Sequence, residues 1–425
     1  MGFFMSSDLR PWPPFAVIGL SLGALACAAP AAADPAPPFA ELLRQAQATA
    51  PRLAQSGAEV RRAEGLARQA AVRPNPTAGL EVEDFAGSGR YSGLESAQTT
   101  LSFAQPFELG GKRSARVSAG QADVAAARAR QLQAGADFAY DLADAYARAE
   151  AADRRLTLAQ EAVGLAEEDA RAANALVQAG KEADLRAIQV RAAVSAARAE
   201  VDQRRAERET AFARLTALSG SPAPLTSIPQ GLLGRAVMAA PAIAPADILS
   251  TPAYLAAQAD REAAVRRIKV EQTRAAPDLT VSVGVRRYGE DRATALVAGV
   301  SAPLPLFDLN KGAVSAARAE LQAAEARLNA ARLDAEANAR ASAAQIGAAT
   351  SRAAAAVETE QAAGEVYRLT RVGYDSGKLS LLELQTARRS LAEAQARTLD
   401  AQLDRLTAEA ALARLQGRTP FGGQP

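Results

Sequence analysis

Histidine is absent from this chain of 425 residues, and cysteine occurs once, at Cys27. Those two facts remove most of the side-chain chemistry available near neutral pH. Histidine acid–base relays, Ser–His triads, HExxH zinc sites and soft-ligand chelation all need residues that are missing here. The acids that remain occur as neighbours such as Glu167 and Glu168 inside helix-forming runs, where adjacent residues point to different faces. Gly87-Ser88-Gly89-Arg90-Tyr91-Ser92-Gly93 has glycines at the wrong spacing for a phosphate cradle and no helix opens behind it, so it reads as a hairpin tip. No catalytic residue, metal ligand or cofactor is expected. The charged groups with a definable local role lie in two turns, Ala179-Gly180-Lys181-Glu182 and Ser376-Gly377-Lys378-Leu379. There glycine supplies a left-handed or close-approach backbone, and lysine puts a solvated charge at a helix end.

Those turns occupy matching places in a duplicated chain. Gly180 and Gly377 are 197 residues apart (377 − 180), Gly220 and Gly417 likewise (417 − 220), and Phe107 and Phe307 are 200 apart (307 − 107). Each half opens with Pro51 or Pro252 on a helix, breaks at Arg73-Pro74 or Ala276-Pro277, and passes through two short alternating segments. A long helical run to the Gly-Lys turn and a returning helix complete it. The expected organisation is an export signal over 1–33 and a first repeat over 34–220, with a β-hairpin at 77–105 and a tip near 180. A linking segment over 221–250 leads to a second repeat over 251–417, with a hairpin at 278–305 and a tip near 377, and 418–425 is a short tail.

The signal reading rests on Arg10, the apolar stretch Phe15 to Ala29 and the small-residue site Ala31-Ala32-Ala33. No other stretch approaches the length of a membrane-spanning helix. Cys27 follows Ala24-Leu25-Ala26, an imperfect lipoprotein box, so lipidation at Cys27 and its removal with the signal both stay open. Lys plus Arg number 49 against 47 Asp plus Glu, which gives no electrostatic case for nucleic acid.

From Gly111 to Val177 and from Gly312 to Gly373 the sequence is free of proline and rich in Ala, Arg, Glu, Leu and Gln, which are strong helix formers. Runs of about 65 residues make rods roughly 100 Å long that must be supported along their sides. Leu384, Ala387, Leu391, Ala394, Thr398 and Ala401 keep a heptad spacing, as do Leu185, Ile188, Ala192, Ser195 and Ala199, so helix is expected to pack on helix. Staves of a helical barrel and an elongated two- or four-helix coiled coil both fit that pattern. In the alternating segments, Leu80 and Val82 interleave with Glu81 and Glu83, while Val281, Val283 and Val285 interleave with Ser282 and Gly284. Such alternation suits a membrane strand with one lipid face and one wet face, and equally a half-buried soluble sheet. Four strands cannot close a barrel, and hydrocarbon does not tolerate an open edge, so a membrane location requires several chains to pool their strands.

Gln105-Pro106-Phe107-Glu108-Leu109-Gly110-Gly111-Lys112-Arg113 and Pro303-Leu304-Pro305-Leu306-Phe307-Asp308-Leu309-Asn310-Lys311-Gly312 are similar to strand-to-helix junctions of a known family. Together with the repeat, the whole mature chain resembles the TolC-like outer membrane factors of tripartite efflux and type I secretion systems. The junctions resemble its CzcC-like heavy-metal branch. The resemblance implies a mainly α fold with a small β part: a homotrimer whose α-barrel continues a 12-stranded outer membrane β-barrel, in contact with lipid. It implies as partners a periplasmic adaptor and an inner membrane RND pump exporting cobalt, zinc or cadmium. Drug or small-molecule efflux and type I secretion are the alternatives, and a periplasmic coiled-coil adaptor or structural rod is the rival of another class. The resemblance also assigns adaptor contact to Ala179, Gly180, Lys181, Ser376, Gly377 and Lys378. An acidic ring at the pore entrance would use Glu383, but the matching first-half position is Arg186, with Asp184 nearby. A latch pairing Arg371 or Arg186 with Glu383 is the other arrangement expected there.

Overall fold

The structure, a computed structural model, describes residues 34–235 and 248–421. The expected export signal, Cys27 and part of the linking segment lie outside the described residues. The chain begins with β1 (Asp34–Pro35) and α1 (Phe39–Thr49). The first repeat follows as α2 (Pro51–Ala70), β2 (Thr77–Glu83), β3 (Gln98–Phe107), α3 (Lys112–Gln178) and α4 (Asp184–Ser219). After β4 (Leu225–Ser227), the second repeats that order as α5 (Pro252–Arg274), β5 (Leu279–Tyr288), β6 (Thr294–Ser301), α6 (Lys311–Asp375) and α7 (Leu381–Leu415). Pro51 and Pro252 each sit in the first turn of a helix, where a missing N–H costs nothing. Turning from strand into long helix takes left-handed residues, Gly110 at φ 66° and Gly111 at 76° in one half and Asn310 at 55° in the other. At Gly110 a side chain would also meet Ala276, so two constraints select glycine there.

The two hairpins form one antiparallel sheet in the order β2-β3-β5-β6, the halves joining where β3 pairs with β5. Register sorts the side chains cleanly. Leu80 lies opposite Leu101, Leu101 opposite Val285 and Val285 opposite Leu296, while Phe103 faces Val283 on the same side. Across its middle that face is apolar and open, with Leu80 70%, Leu101 60% and Leu296 87% exposed, and Thr99, Arg287 and Thr294 end it. The other face is polar: Arg286 pairs with Glu83 at 2.9 Å and donates to the Thr100 hydroxyl at 2.9 Å. Among the described residues β2 and β6 each have a free edge.

The helices lie in two successive layers. Next to the sheet, α3 packs between α2 and α5, and α5 packs on α6; towards the turns, α3 packs between α4 and α7, and α7 packs on α6. The expected heptad of α7 is buried, Leu384 and Ala394 at 3% and Ala387 at 6% exposure. That of α4 is not. Leu185 and Ile188 are 63% and 62% exposed, because α4 meets α3 through the face carrying Val190 instead. Among the described residues the Leu185–Ile188 row is left uncovered.

The main core sits at the waist, where the layers meet. Phe39, Leu42, Leu43 and Ala46 of α1 pack on Phe138, Leu142 and Tyr146 of α3 and on Leu215 and Leu406. Neither α1 nor the parallel β1–β4 pair was expected from sequence. The Tyr146 ring meets Phe39 edge-on at 5.7 Å, and its hydroxyl donates to the Gln230 carbonyl at 2.8 Å. Burial, with Glu150 adding to it, pushes that hydroxyl up to about 12. Glu150, 6% exposed, accepts the Leu232 N–H at 2.5 Å and the Leu233 N–H at 3.1 Å, and so fastens the linking segment to α3.

Removing the Glu150 carboxylate leaves two N–H groups in apolar surroundings, at about 1–3 kcal/mol each. Glu150→Ala should therefore lower the thermal midpoint clearly, and Glu150→Gln much less. Burial raises the Glu150 carboxyl above the usual carboxylate range, against the pull of the Leu233 and Leu232 N–H groups. Its contribution is complete below the ordinary carboxylate value and is lost as pH rises through the raised one. As pH rises from the ordinary carboxylate value, wild type should lose midpoint relative to Glu150→Gln, and parallel profiles would contradict this assignment.

Candidate functional site at the helical tips

Both turns end their long helices in the same way. Gly180 at φ 67° donates its N–H to the Val177 carbonyl at 2.9 Å, and Lys181 donates to Leu176 at 2.9 Å. In the second half Gly377 at φ 73° donates to Tyr374 at 2.9 Å, and Lys378 to Gly373 at 2.9 Å. This is the Schellman arrangement, which uses up the last free carbonyls of a helix and needs a left-handed residue at its centre. Ala179, Gly180, Lys181, Ser376, Gly377 and Lys378 are all exposed, and nothing lies within 4 Å of where a Cβ would stand on either glycine. The tips are open knobs.

The two returning helices start differently. Ser380 and Glu383 form a capping box: the Ser380 hydroxyl accepts the Glu383 N–H at 3.3 Å, and the Glu383 carboxylate accepts the Ser380 N–H at 2.7 Å. Those bonds hold the Glu383 carboxyl below the usual carboxylate range, the backbone N–H first and the hydroxyl second. At the first tip Ala183 occupies the cap with no side-chain bond, and Asp184 opens α4.

The four expected gate residues are not brought together in the chain. Glu383 serves its own helix, Arg371 lies along α6 with a guanidinium nitrogen 3.4 Å from the Tyr367 hydroxyl, and Asp184 is exposed at the start of α4. Among the described residues no ion pair joins Arg186 or Arg371 to Glu383. A different group ties the two hairpins. Arg388 of α7 pairs with Asp169 of α3 at 2.7 Å, their side chains only 14% and 19% exposed. Gln385 donates to the same carboxylate at 3.4 Å, and the Arg388 guanidinium lies 5.9 Å from the centre of the Tyr367 ring on α6. Three helices thus converge on one half-buried charge pair. Sequence reasoning missed it because pairing residues 219 apart requires the register of two antiparallel helices.

Known proteins match this arrangement from end to end. Residues 42–221 and 248–418 match the family described as outer membrane efflux protein. The chain belongs to that family. It is 41% identical over 406 residues to the nickel-cobalt-cadmium resistance protein NccC of Alcaligenes xylosoxydans xylosoxydans, covering 95% of this chain and 92% of that one. Two proteins of Cupriavidus metallidurans are also similar. The nickel and cobalt resistance protein CnrC is 43% identical over 300 residues, 71% of each chain, and the cobalt-zinc-cadmium resistance protein CzcC is 29% identical over 368 residues, 86% of each. Among solved structures, CusC superposes with a TM-score of 0.75 at 18% identity, over 89% of this chain and 92% of that one. The expected resemblance to metal-resistance outer membrane factors therefore holds. This is a family of transport conduits, in keeping with a site made of turns and seams.

In outer membrane efflux proteins of this kind the asymmetry of the tips is open to direct measurement. Amide hydrogen exchange should be slower in the first turn of α7 than in that of α4, and Ser380→Ala should abolish the difference. Because Glu383 titrates low, the protection is present above the ordinary carboxylate value and lost as pH falls through the depressed one. Equal exchange at the two helix starts in wild type would count against the capping assignment.

Proposed function

We propose that three copies of the chain pool their strands into a 12-stranded outer membrane barrel. The helices then continue it as a duct through the periplasm, passing divalent metal cations handed on by an inner membrane RND pump and its adaptor. The observation that carries this reading is the sheet, with one face apolar across its middle at Leu80, Leu101, Phe103, Val285 and Leu296, and a strand at each side whose outer edge is free among the described residues. An edge left open in hydrocarbon costs several kcal/mol per unsatisfied group, and only closure by further copies removes it. Facing inward, the Arg286, Glu83 and Thr100 side gives a wet lining. The names of NccC, CnrC and CzcC support the metal cargo. The chain offers no imidazole ligand, and among the described residues its carboxylates do not cluster as a metal site would require, so in this reading it conducts while the pump selects.

In this reading Gly180 and Gly377 with their lysines receive the adaptor, and the Asp169–Arg388 pair keeps the pore end closed. The cargo is tested by supplying the chain, with a cognate pump and adaptor, to a Gram-negative strain lacking its own outer membrane component. Restored nickel, cobalt, cadmium or zinc tolerance is expected. Tolerance restored only towards dyes and detergents would overturn the metal assignment in favour of small-molecule efflux.

Gly377→Val and Gly180→Val force a β-branched residue into the left-handed region at about 1–2 kcal/mol and put bulk on the docking surface. Metal tolerance should fall while oligomer and membrane insertion persist. Wild-type tolerance would make the tips ordinary turns. For the latch, Arg388→Ala leaves Asp169 half-buried without its partner, so conductance in planar bilayers should rise. The exchange of both residues, Asp169→Arg with Arg388→Asp, should bring it back towards wild type. Unchanged conductance in Arg388→Ala would remove the pair from the gate.

A further inference from the structure

The internal repeat builds one junction between hairpins inside the chain and leaves its counterpart open. Towards the tips the helices run in the order α4, α3, α7, α6, so the hairpins meet where α3 packs on α7. That inner junction is polar, with Asp169 holding Gln385 and Arg388. The outward faces of α4 and α6 carry apolar rows instead. Leu185 and Ile188 on α4 are 63% and 62% exposed, and Val366 and Leu369 on α6 are 54% exposed.

The repeat itself supplies the register in which those rows would meet. Shifting by the 197 residues between the tips (377 − 180) carries Asp169 of α3 onto Val366 of α6, and carries Gln385 of α7 back onto Ile188 of α4. In the same antiparallel register Leu369 falls opposite Leu185, Ala362 opposite Ala192 and Ala355 opposite Ala199, all of them exposed. Both rows follow the 3-4 spacing of helix seams that interlock. Large residues meet large ones near the tips, and alanines meet alanines where helices must come close.

We propose that copies of this chain meet at the tip end through an apolar seam, Val366 and Leu369 of α6 lying against Ile188 and Leu185 of a neighbouring copy's α4. The proposal rests on the multi-copy duct reading. It commits to a second copy because the two rows belong to opposite edges of one chain, match each other in register, and continue the open strand edges β2 and β6 at the other end. Seams of two kinds then alternate around the ring: charged within a copy, apolar between copies.

The test is the double variant Ile188→Cys with Val366→Cys, oxidised in isolated outer membranes beside each single variant. The two positions lie on opposite edges of the chain, so a bond between them must join copies. Most chains of the double variant should appear as covalent dimers and trimers on non-reducing gels, and those of the single variants as monomers. Native mass in mild detergent is measured alongside. A trimeric mass without these crosslinks would overturn the seam and leave the duct standing. A monomeric mass would overturn both.

Discussion

At the β2 and β6 outer edges, backbone N–H and C=O groups have no strand partner among the described residues, and in hydrocarbon each such group costs several kcal/mol. Side-chain chemistry cannot remedy that shortage. It requires another strand, and since the four strands of this sheet are already placed, in the proposed duct that strand comes from another copy. Closure then dictates much of what surrounds the sheet. In the proposed barrel the apolar face with Leu80, Leu101, Val285 and Leu296 turns outward and the Arg286–Glu83 face inward. Each strand must also hand over to a helix at a fixed angle, which is the work of Gly110, Gly111 and Asn310.

The helices extend the same logic without a hydrogen-bonding requirement. Alanine on several faces of α3, α6 and α7 allows close approach on more than one side, at the cost of little buried area per residue. Such rods gain their rigidity where larger side chains gather, and here that is the waist. Tyr146, Phe39 and Leu142 supply the apolar mass, and Glu150 converts the Leu232–Leu233 backbone into a strap across α3. Fixing the rods at their middle leaves the tips as the end with fewest constraints, which is where a conduit can open without disturbing its membrane part.

Much of the fold was legible because punctuation and period agree. Proline at 51, 74, 252 and 277 marks starts and breaks, alternation marks strands, and the repeat offset ties the halves together. Less legible was anything that depends on which face meets which neighbour. The Leu185–Ile188 row has the spacing of a packed seam, and nothing in a period says whether the partner is in the same chain. The α1 helix carries Phe39, Leu42, Leu43 and Ala46 at helical spacing and was overlooked beside much longer runs. At the tips the turn glycines were plain from their place in the repeat. The charge pair behind them was hidden, since Asp169 and Arg388 resemble any of the solvated charges along these rods until two helices are set in register.

The duplication also explains why the two junctions need not be alike. A ring made of one hairpin repeated six times would present the same contact at every joint, and any change that loosened one would loosen all. With two different hairpins in one chain, Asp169 can stand where Val366 stands in the other half, and Gln385 where Ile188 does. An ion pair is open to competition from another charged surface, whereas an apolar contact is not. In the proposed duct, an arriving adaptor that offers charge would therefore act on the joints inside each copy and leave those between copies intact. The proposed ring would then open in units of α6–α7 with the next copy's α3–α4, and would keep its membership while its aperture changes.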